Sequence, residues 1–496
     1  MVCGAAAVLL AFAASAQVLQ DAGVARLAEA SAIDGGVDGD NALRRPRDAG
    51  ARHVRAERPH ADRAGAADVS ADADEFDEEE LERALPDAEA GELLSDGGPV
   101  AAPSEVSAVP AAAANAVAQT SPVPGLSLLH KSKLESTEGG DALFAKTAEG
   151  KLARLSINPV MQRQMEKLFS LYKPMSGALV AIEPKTGRVL ALVEYSADGH
   201  PEGAATHPLY PAASVFKIIT GAALLEKGIS PDAETCYHGG LHGIVSKLLQ
   251  DKPRLDSRCL SLSMALAKSA NVVFAKMAER HLDAPALREE AERFMFNRSV
   301  WADPAVGAST ARIPEHGLEF AKSAAGFGDV KLSPLHAALI AAAVGNGGDM
   351  RDPTLIDSLD GSAAAPQGER RIMRAETATK LKEMMKLTVS EGTASSSFRE
   401  RRGPILGDIA VAGKTGSLSN HEKPFKDYSW FVGFAPADDP KIAVAAVVVN
   451  GLKWSIHAPF VAREALRSYL VGGSMGTPPP AHSHRPAHRR VAKKRR

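Results

Sequence analysis

The sequence predicts an α+β domain, an antiparallel β-sheet flanked by helices with an all-helical subdomain, preceded by a disordered N-terminal region. Three observations carry this. Apolar, β-rich runs lie at both ends of residues 141–471. Segments with apolar residues at helical spacing lie between and after them, so strands from the two ends would enclose a helical insertion. Residues 21–140 show compositional bias and no such pattern.

Composition narrows the function classes. The chain has 496 residues, of which 45% are hydrophobic and 24% charged, close to a globular average. A net charge of −2 gives no global attraction to nucleic acid, and none is expected as a partner. Three cysteines, Cys3, Cys236 and Cys259, exclude a disulfide-dense scaffold. With no C-x-x-C, H-E-x-x-H or G-x-x-x-x-G-K-[ST] stretch, zinc, iron–sulfur and P-loop chemistry find no support, and no metal or cofactor is expected.

Residues 2–20 are uncharged and Ala-rich, with a small-x-small site at Ala14-Ser15-Ala16. A cleaved signal peptide, an uncleaved membrane anchor and an apolar terminus without a targeting role are the three readings. The first two place the protein outside the cytoplasm, in the periplasm or on the outer face of the membrane. Only an uncleaved segment would attach it to the membrane. Residues 21–140 read as a low-complexity linker. Arginine is dense over 44–63, acid is dense over 72–96, and 99–124 is rich in Ala, Pro, Ser and Val. Such blocks bury too little apolar surface to offset the entropy of ordering, apart from a short helix expected at Glu78–Leu85.

From 141 the pattern changes. Pro159–Tyr172 reads as a helix, and Gly177–Ile182 and Arg188–Val193 as a hairpin around E-P-K-T-G. Helices are expected over 214–227, 261–281, 334–346, 376–390 and 457–470. A strand is expected at Ile409–Gly413, and a second hairpin at Tyr428–Ala435 and Ile442–Val449. Residues 472–496 read as a flexible basic tail, with seven Lys/Arg over 485–496. Such a tail would attract anionic envelope polymers in a salt-dependent way.

Three motifs carry chemistry. Ser214-Val-Phe-Lys217 opens an apolar helix. Residues three apart share a helix face, so hydroxyl and amine would project together. A serine is a poor nucleophile without a neighbouring base. A lysine is such a base only when burial or nearby positive charge lowers its pKa. Alone, S-x-x-K recurs by chance, with the serine an N-cap and the lysine at the surface. Ser269-Ala-Asn271 places two mediocre helix formers in an apolar helical run, as if facing a cleft. Lys414-Thr415-Gly416 follows Val411-Ala412-Gly413 at an expected strand edge, where Gly413 and Gly416 allow close approach; alone it reads as a β-turn. All three in this order are improbable as coincidence.

With these motifs, residues 150–471 resemble the penicillin-binding protein transpeptidase domain, of the monofunctional, class B-like kind. The resemblance extends to L-S-I-N-P-V-M-Q, G-A-L-V-A-I-E-P-K-T-G-R-V-L-A-L-V, A-A-G-F-G, S-P-L-H-A-A, N-G-G, E-G-T-A and S-W-F-V-G-F-A-P. It implies the serine penicillin-recognising fold shared with serine β-lactamases. It further implies a D,D-transpeptidase that cross-links peptidoglycan stem peptides through a serine acyl-enzyme and is acylated by β-lactams, with the cell-wall synthesis machinery as its setting. By the same resemblance Ser214 is the nucleophile and Lys217 its base. Ser269 relays a proton to the departing D-Ala, and Asn271 orients Lys217 and the substrate amide. Lys414 and Thr415 hold the terminal carboxylate, followed by Gly416 and Ser417, and the N–H groups of Ser214 and Ser417 form the oxyanion hole.

The chain departs from the pattern at Ser417, where Thr is common, and residues before 140 do not resemble a glycosyltransferase domain. A D,D-carboxypeptidase uses the same residues with water as acceptor. A class A serine β-lactamase would need an E-x-x-L-N stretch that the chain lacks, and class D has S-x-V where this chain has Ser269-Ala-Asn271; a non-catalytic β-lactam sensor or wall-binding scaffold would not need every catalytic residue. Export would place Cys236 and Cys259 in an oxidising compartment, where a disulfide is expected. The alternative is two buried thiols.

Overall fold

The computed structural model describes residues 134–137 and 140–472, except 366, 402, 421 and 422, together with Gly125, Leu126 and Leu128. The expectations for residues 1–20, for the helix at Glu78–Leu85 and for the basic tail lie outside these residues.

The expected hairpin forms as β1 (Ser176–Ile182) and β2 (Val189–Ser196), joined across E-P-K-T-G. From the other end of the domain come β3 (Ala412–Asn420), β4 (Lys426–Ala435) and β5 (Ile442–Asn450). All pairs are antiparallel, and the order is β3-β4-β5-β1-β2. The β5–β1 seam aligns Ala446 with Leu179, so residues more than 250 apart in sequence close one sheet. The helical insertion between the halves agrees with the α+β expectation.

Both faces of this sheet are covered, which is why β5 (I-A-V-A-A-V-V-V-N) is buried at every position rather than alternating. On one face lie α1 (Pro159–Tyr172) and α8 (Ala458–Leu470), packed on Leu179, Ala181, Phe431, Val444 and Ala446. Helix α1 begins where the Asn158 side chain caps the Met161 N–H at 3.0 Å, followed by Pro159 at its first position. Its buried stripe of Met161, Met165, Leu168 and Phe169 is the one its spacing predicts. On the other face lie α2 (Lys217–Glu226), α3 (Leu262–Ala267), α4 (Asn271–His281), α5 (Gly317–Ala324), α6 (Pro334–Gly345) and α7 (Ala375–Ser390), around Val180, Trp430, Val432 and Ala445. Among the described residues no helix is long and apolar enough to cross a membrane.

Three boundaries differ from expectation. The strand placed at Ile409–Gly413 is instead β3, Ala412–Asn420. Its polar K-T-G-S-L-S-N half looks like a loop by composition, yet pairs residue for residue with β4 from Gly413↔Gly433 to Asn420↔Lys426. The helix placed over 261–281 is two helices, with Ser269 between them at φ 56°. The helix expected from 214 opens as a 3-10 turn, Ala213–Phe216, and becomes α-helical at Lys217. Ordered structure also precedes residue 141. Leu126 and Leu128 are buried, the Leu126 N–H donates to Asp303 Oδ2 at 3.1 Å, and Glu135–Ser136 pairs with Leu143–Lys146.

Candidate active site

Ser214 sits in the 3-10 turn that leads into α2, and its surroundings fix it from several sides. The Ala212 N–H donates to Val330 O at 3.0 Å, and Trp430 Nε1 donates to Pro211 O at 3.0 Å. Ala213 takes φ 47°, an uncommon conformation for a residue with a Cβ. Gly326 lies directly against the Ala213 carbonyl, where any Cβ would collide. Gly416 of β3 packs on the Val215 and Ala213 side chains, so strand and turn meet closely.

One turn on, Lys217 is fully buried. Its Nζ lies 2.7 Å from Ser214 Oγ, 2.6 Å from Asn271 Oδ1 and 2.6 Å from the Ala325 carbonyl. Burial lowers its pKa well below the usual lysine value, and the charge of Lys414 lowers it further. A neutral amine here has two N–H groups and one lone pair. Asn271 Oδ1 and Ala325 O can accept the two hydrogens, which leaves the lone pair for the Ser214 O–H.

Asn271 is held in turn, its Nδ2 donating to His242 O at 2.8 Å. The His242 carbonyl belongs to the connection between Glu234–Tyr237 and Arg258–Ser261, two short strands that pair Cys236 with Cys259. These cysteines form a disulfide. Lys276 of α4 donates to Cys236 O at 2.9 Å, which ties that hairpin to the helix carrying Asn271. The His242 imidazole is pushed below its ordinary pKa by burial, then by the charges of Lys217 and Lys414.

Lys414 reaches the site from β3. Its Nζ donates to Ser269 Oγ at 2.9 Å and to Thr415 O at 2.8 Å, and burial lowers its pKa to about 7. Ser269 and Thr415 are each 8% exposed, while Ser417 is exposed on the same strand as Thr415. Ser214, Lys217 and Asn271 therefore form one hydrogen-bonded group and Lys414, Ser269 and Thr415 a second, and the charge of Lys414 is felt at Lys217; Gly416 and Ser417 continue the strand. Two contributors carry no role in the sequence reading: the Ala325 carbonyl and the His242 carbonyl. The first lies in A-A-G-F-G, where Gly326 packs against the Ala213 carbonyl. Nothing local marked His242. Among the described residues no cluster of His, Cys, Asp and Glu could hold a metal ion.

A sheet covered on both faces, with a serine and two buried lysines where it meets the helical insertion, defines a transpeptidase-type domain. The chain belongs to the penicillin-binding protein transpeptidase domain family, whose model matches residues 177–466. It is 32% identical over 319 residues to the peptidoglycan D,D-transpeptidase PbpA of Mycobacterium tuberculosis, covering 56% of this chain and 63% of that protein. It is 27% identical to penicillin-binding protein 3 of Bacillus subtilis, covering 66% of this chain and 53% of the relative. The chain thus spans less than two thirds of the length of these relatives. Among solved structures, the imipenem acyl-enzyme complex of penicillin-binding protein A from M. tuberculosis superposes with a TM-score of 0.54 at 27% identity, covering 64% of this chain and 79% of that one.

Proposed function

We propose that the protein is a peptidoglycan D,D-transpeptidase, acting outside the cytoplasm on stem peptides and acylated by β-lactams. The observation that carries this reading is the approach of the buried Lys217 Nζ to Ser214 Oγ, 2.7 Å, with both other amine contacts accepted by oxygens. The Ser214 proton passes to Lys217 as Oγ attacks the carbonyl of the penultimate D-Ala. The resulting oxyanion faces the N–H groups of Ser214 and Ser417. When the C–N bond breaks, the departing D-Ala amine takes a proton from Lys217 through Ser269, leaving an acyl-enzyme. An amine of a second stem peptide then attacks the ester and loses its proton to Lys217, which passes it to Ser214 Oγ as the C–O bond breaks, so the cross-link forms and both groups return to their starting state. Charged Lys414, with Thr415, holds the terminal carboxylate and keeps Lys217 deprotonated.

The test is incubation of the purified protein with a stem-peptide donor and an amine acceptor, with products identified by mass spectrometry. A cross-linked product is expected. Hydrolysis alone would assign a carboxypeptidase, and rapid turnover of a β-lactam acyl-enzyme would assign a β-lactamase.

A further inference from the structure

Thr393 lies outside the three motifs, yet it touches both sides of the cleft. Its N–H donates to the carbonyl of Ala267, two residues before Ser269, at 3.1 Å. Its Oγ1 lies 2.5 Å from Thr415 Oγ1 and 3.4 Å from the same Ala267 carbonyl. Gly392 presses on that carbonyl so closely that a Cβ would collide with it, which fixes Thr393 in place. Thr393 is exposed while Thr415 is nearly buried.

A hydroxyl has one hydrogen to give and can accept. Two arrangements of this pair satisfy that limit. In the first, Thr415 donates to Thr393, which donates to Ala267 O, so both hydrogens are used and no anion is present. In the second, Thr393 donates to Thr415, and the Thr415 hydrogen is free to point at an anion beside Lys414. A bound carboxylate selects the second arrangement, and an uncharged ester or amide gains far less from it.

We propose that Thr393 is a specificity-determining, positioning residue for the free α-carboxylate of the donor substrate, acting by orienting the Thr415 hydroxyl. This rests on the transpeptidase reading above. The experiment measures acylation of the full chain by benzylpenicillin and by its methyl ester, using intact-mass spectrometry. The wild type is expected to favour the free acid. Thr393→Val should slow acylation by the acid about tenfold, the effect of losing one hydrogen bond that supports a charged group, and leave the ester rate unchanged. Thr393→Ala should behave alike, and Thr393→Ser should restore the preference. Equal slowing with acid and ester in both Val and Ala variants would overturn the proposal, as would no slowing with either. A wild type that neither compound acylates would overturn the transpeptidase reading itself, an outcome distinct from the others.

Discussion

The two sides of the cleft deliver their functional groups by different means. On the sheet side, Lys414, Thr415, Gly416 and Ser417 are consecutive residues of a regular strand, with every partner on β4 in register. On the helical side, Ser269 and Asn271 flank a break between α3 and α4, with Ser269 in a positive-φ conformation. That break has no ladder to hold it. The Ala267 carbonyl is gripped by Gly392 and Thr393, and Asn271 by the His242 carbonyl. A strand positions side chains through a continuous ladder, whereas the broken helix has only the local bonds of Ser269 N–H to Leu266 O and Ala270 N–H to Ala265 O together with contacts from distant segments. The helical side should therefore be easier to misalign without unfolding.

The largest effects are expected where the two sides converge. Ser214→Ala should abolish covalent labelling by fluorescent penicillin while circular dichroism stays unchanged. Undiminished labelling would remove Ser214 as the nucleophile. Lys217→Ala should slow acylation by about 10²–10⁴-fold, the usual contribution of a general base, read from the time course of the same fluorescent labelling.

The two lysines predict the shape of the pH profile. Lys217 must be neutral to accept a proton, so the second-order acylation rate rises as pH climbs through its lowered pKa. Lys414 must be charged to hold a carboxylate. The rate should therefore fall above about 7, its value when buried in the free enzyme. Stopped-flow acylation from pH 5 to 10 should trace a bell. A rate still rising through pH 9 would contradict the role of Lys414.

Two glycines sharpen the contrast between the sides. Gly392→Ala would push on the Ala267 carbonyl and displace the Ser269 break. A shift near 1 Å costs about 10²-fold in rate, and the collision with the Ala267 and Thr388 backbones lowers melting temperature as well. Gly413→Ala on β3 would meet the Phe431 ring. Overpacking of this kind costs about 1–3 kcal/mol of stability, with acylation nearly preserved. Finding the reverse pattern of acylation rates would refute the distinction.

The smallest effect on rate is expected at the hairpin behind Asn271. Replacing Cys236 and Cys259 by serine opens a loop with a sequence separation of 23. The loss is about 3 kcal/mol on the chain-entropy account. Melting temperature should fall, and acylation should fall only through looser support of the His242 carbonyl. A double variant that melts with the native protein would show that the hairpin holds without its cross-link.

Much of this was legible before the fold was known. The apolar runs of β1, β2, β4 and β5 and the stripe of α1 have the periods their packing requires. The S-x-x-K spacing placed Lys217 beside Ser214 through helix geometry alone. Where expectation erred, polar residues misled it: Lys414 to Asn420 lack the apolar alternation of a strand, and Ser269 has no local feature announcing a positive φ.

The sequence by itself determined which groups are available: one serine with a lysine three residues on, a serine–asparagine pair, a lysine–threonine step, and two strand-forming ends able to meet. Those properties are local, set by period, chirality and side-chain chemistry. Only the tertiary structure decided that Lys217 is a buried amine beside Ser214 and not a surface charge. Its lowered pKa arises from complete burial and the proximity of Lys414, almost 200 residues away. Desolvation and charge–charge repulsion belong to the folded environment, so no window of sequence contains them.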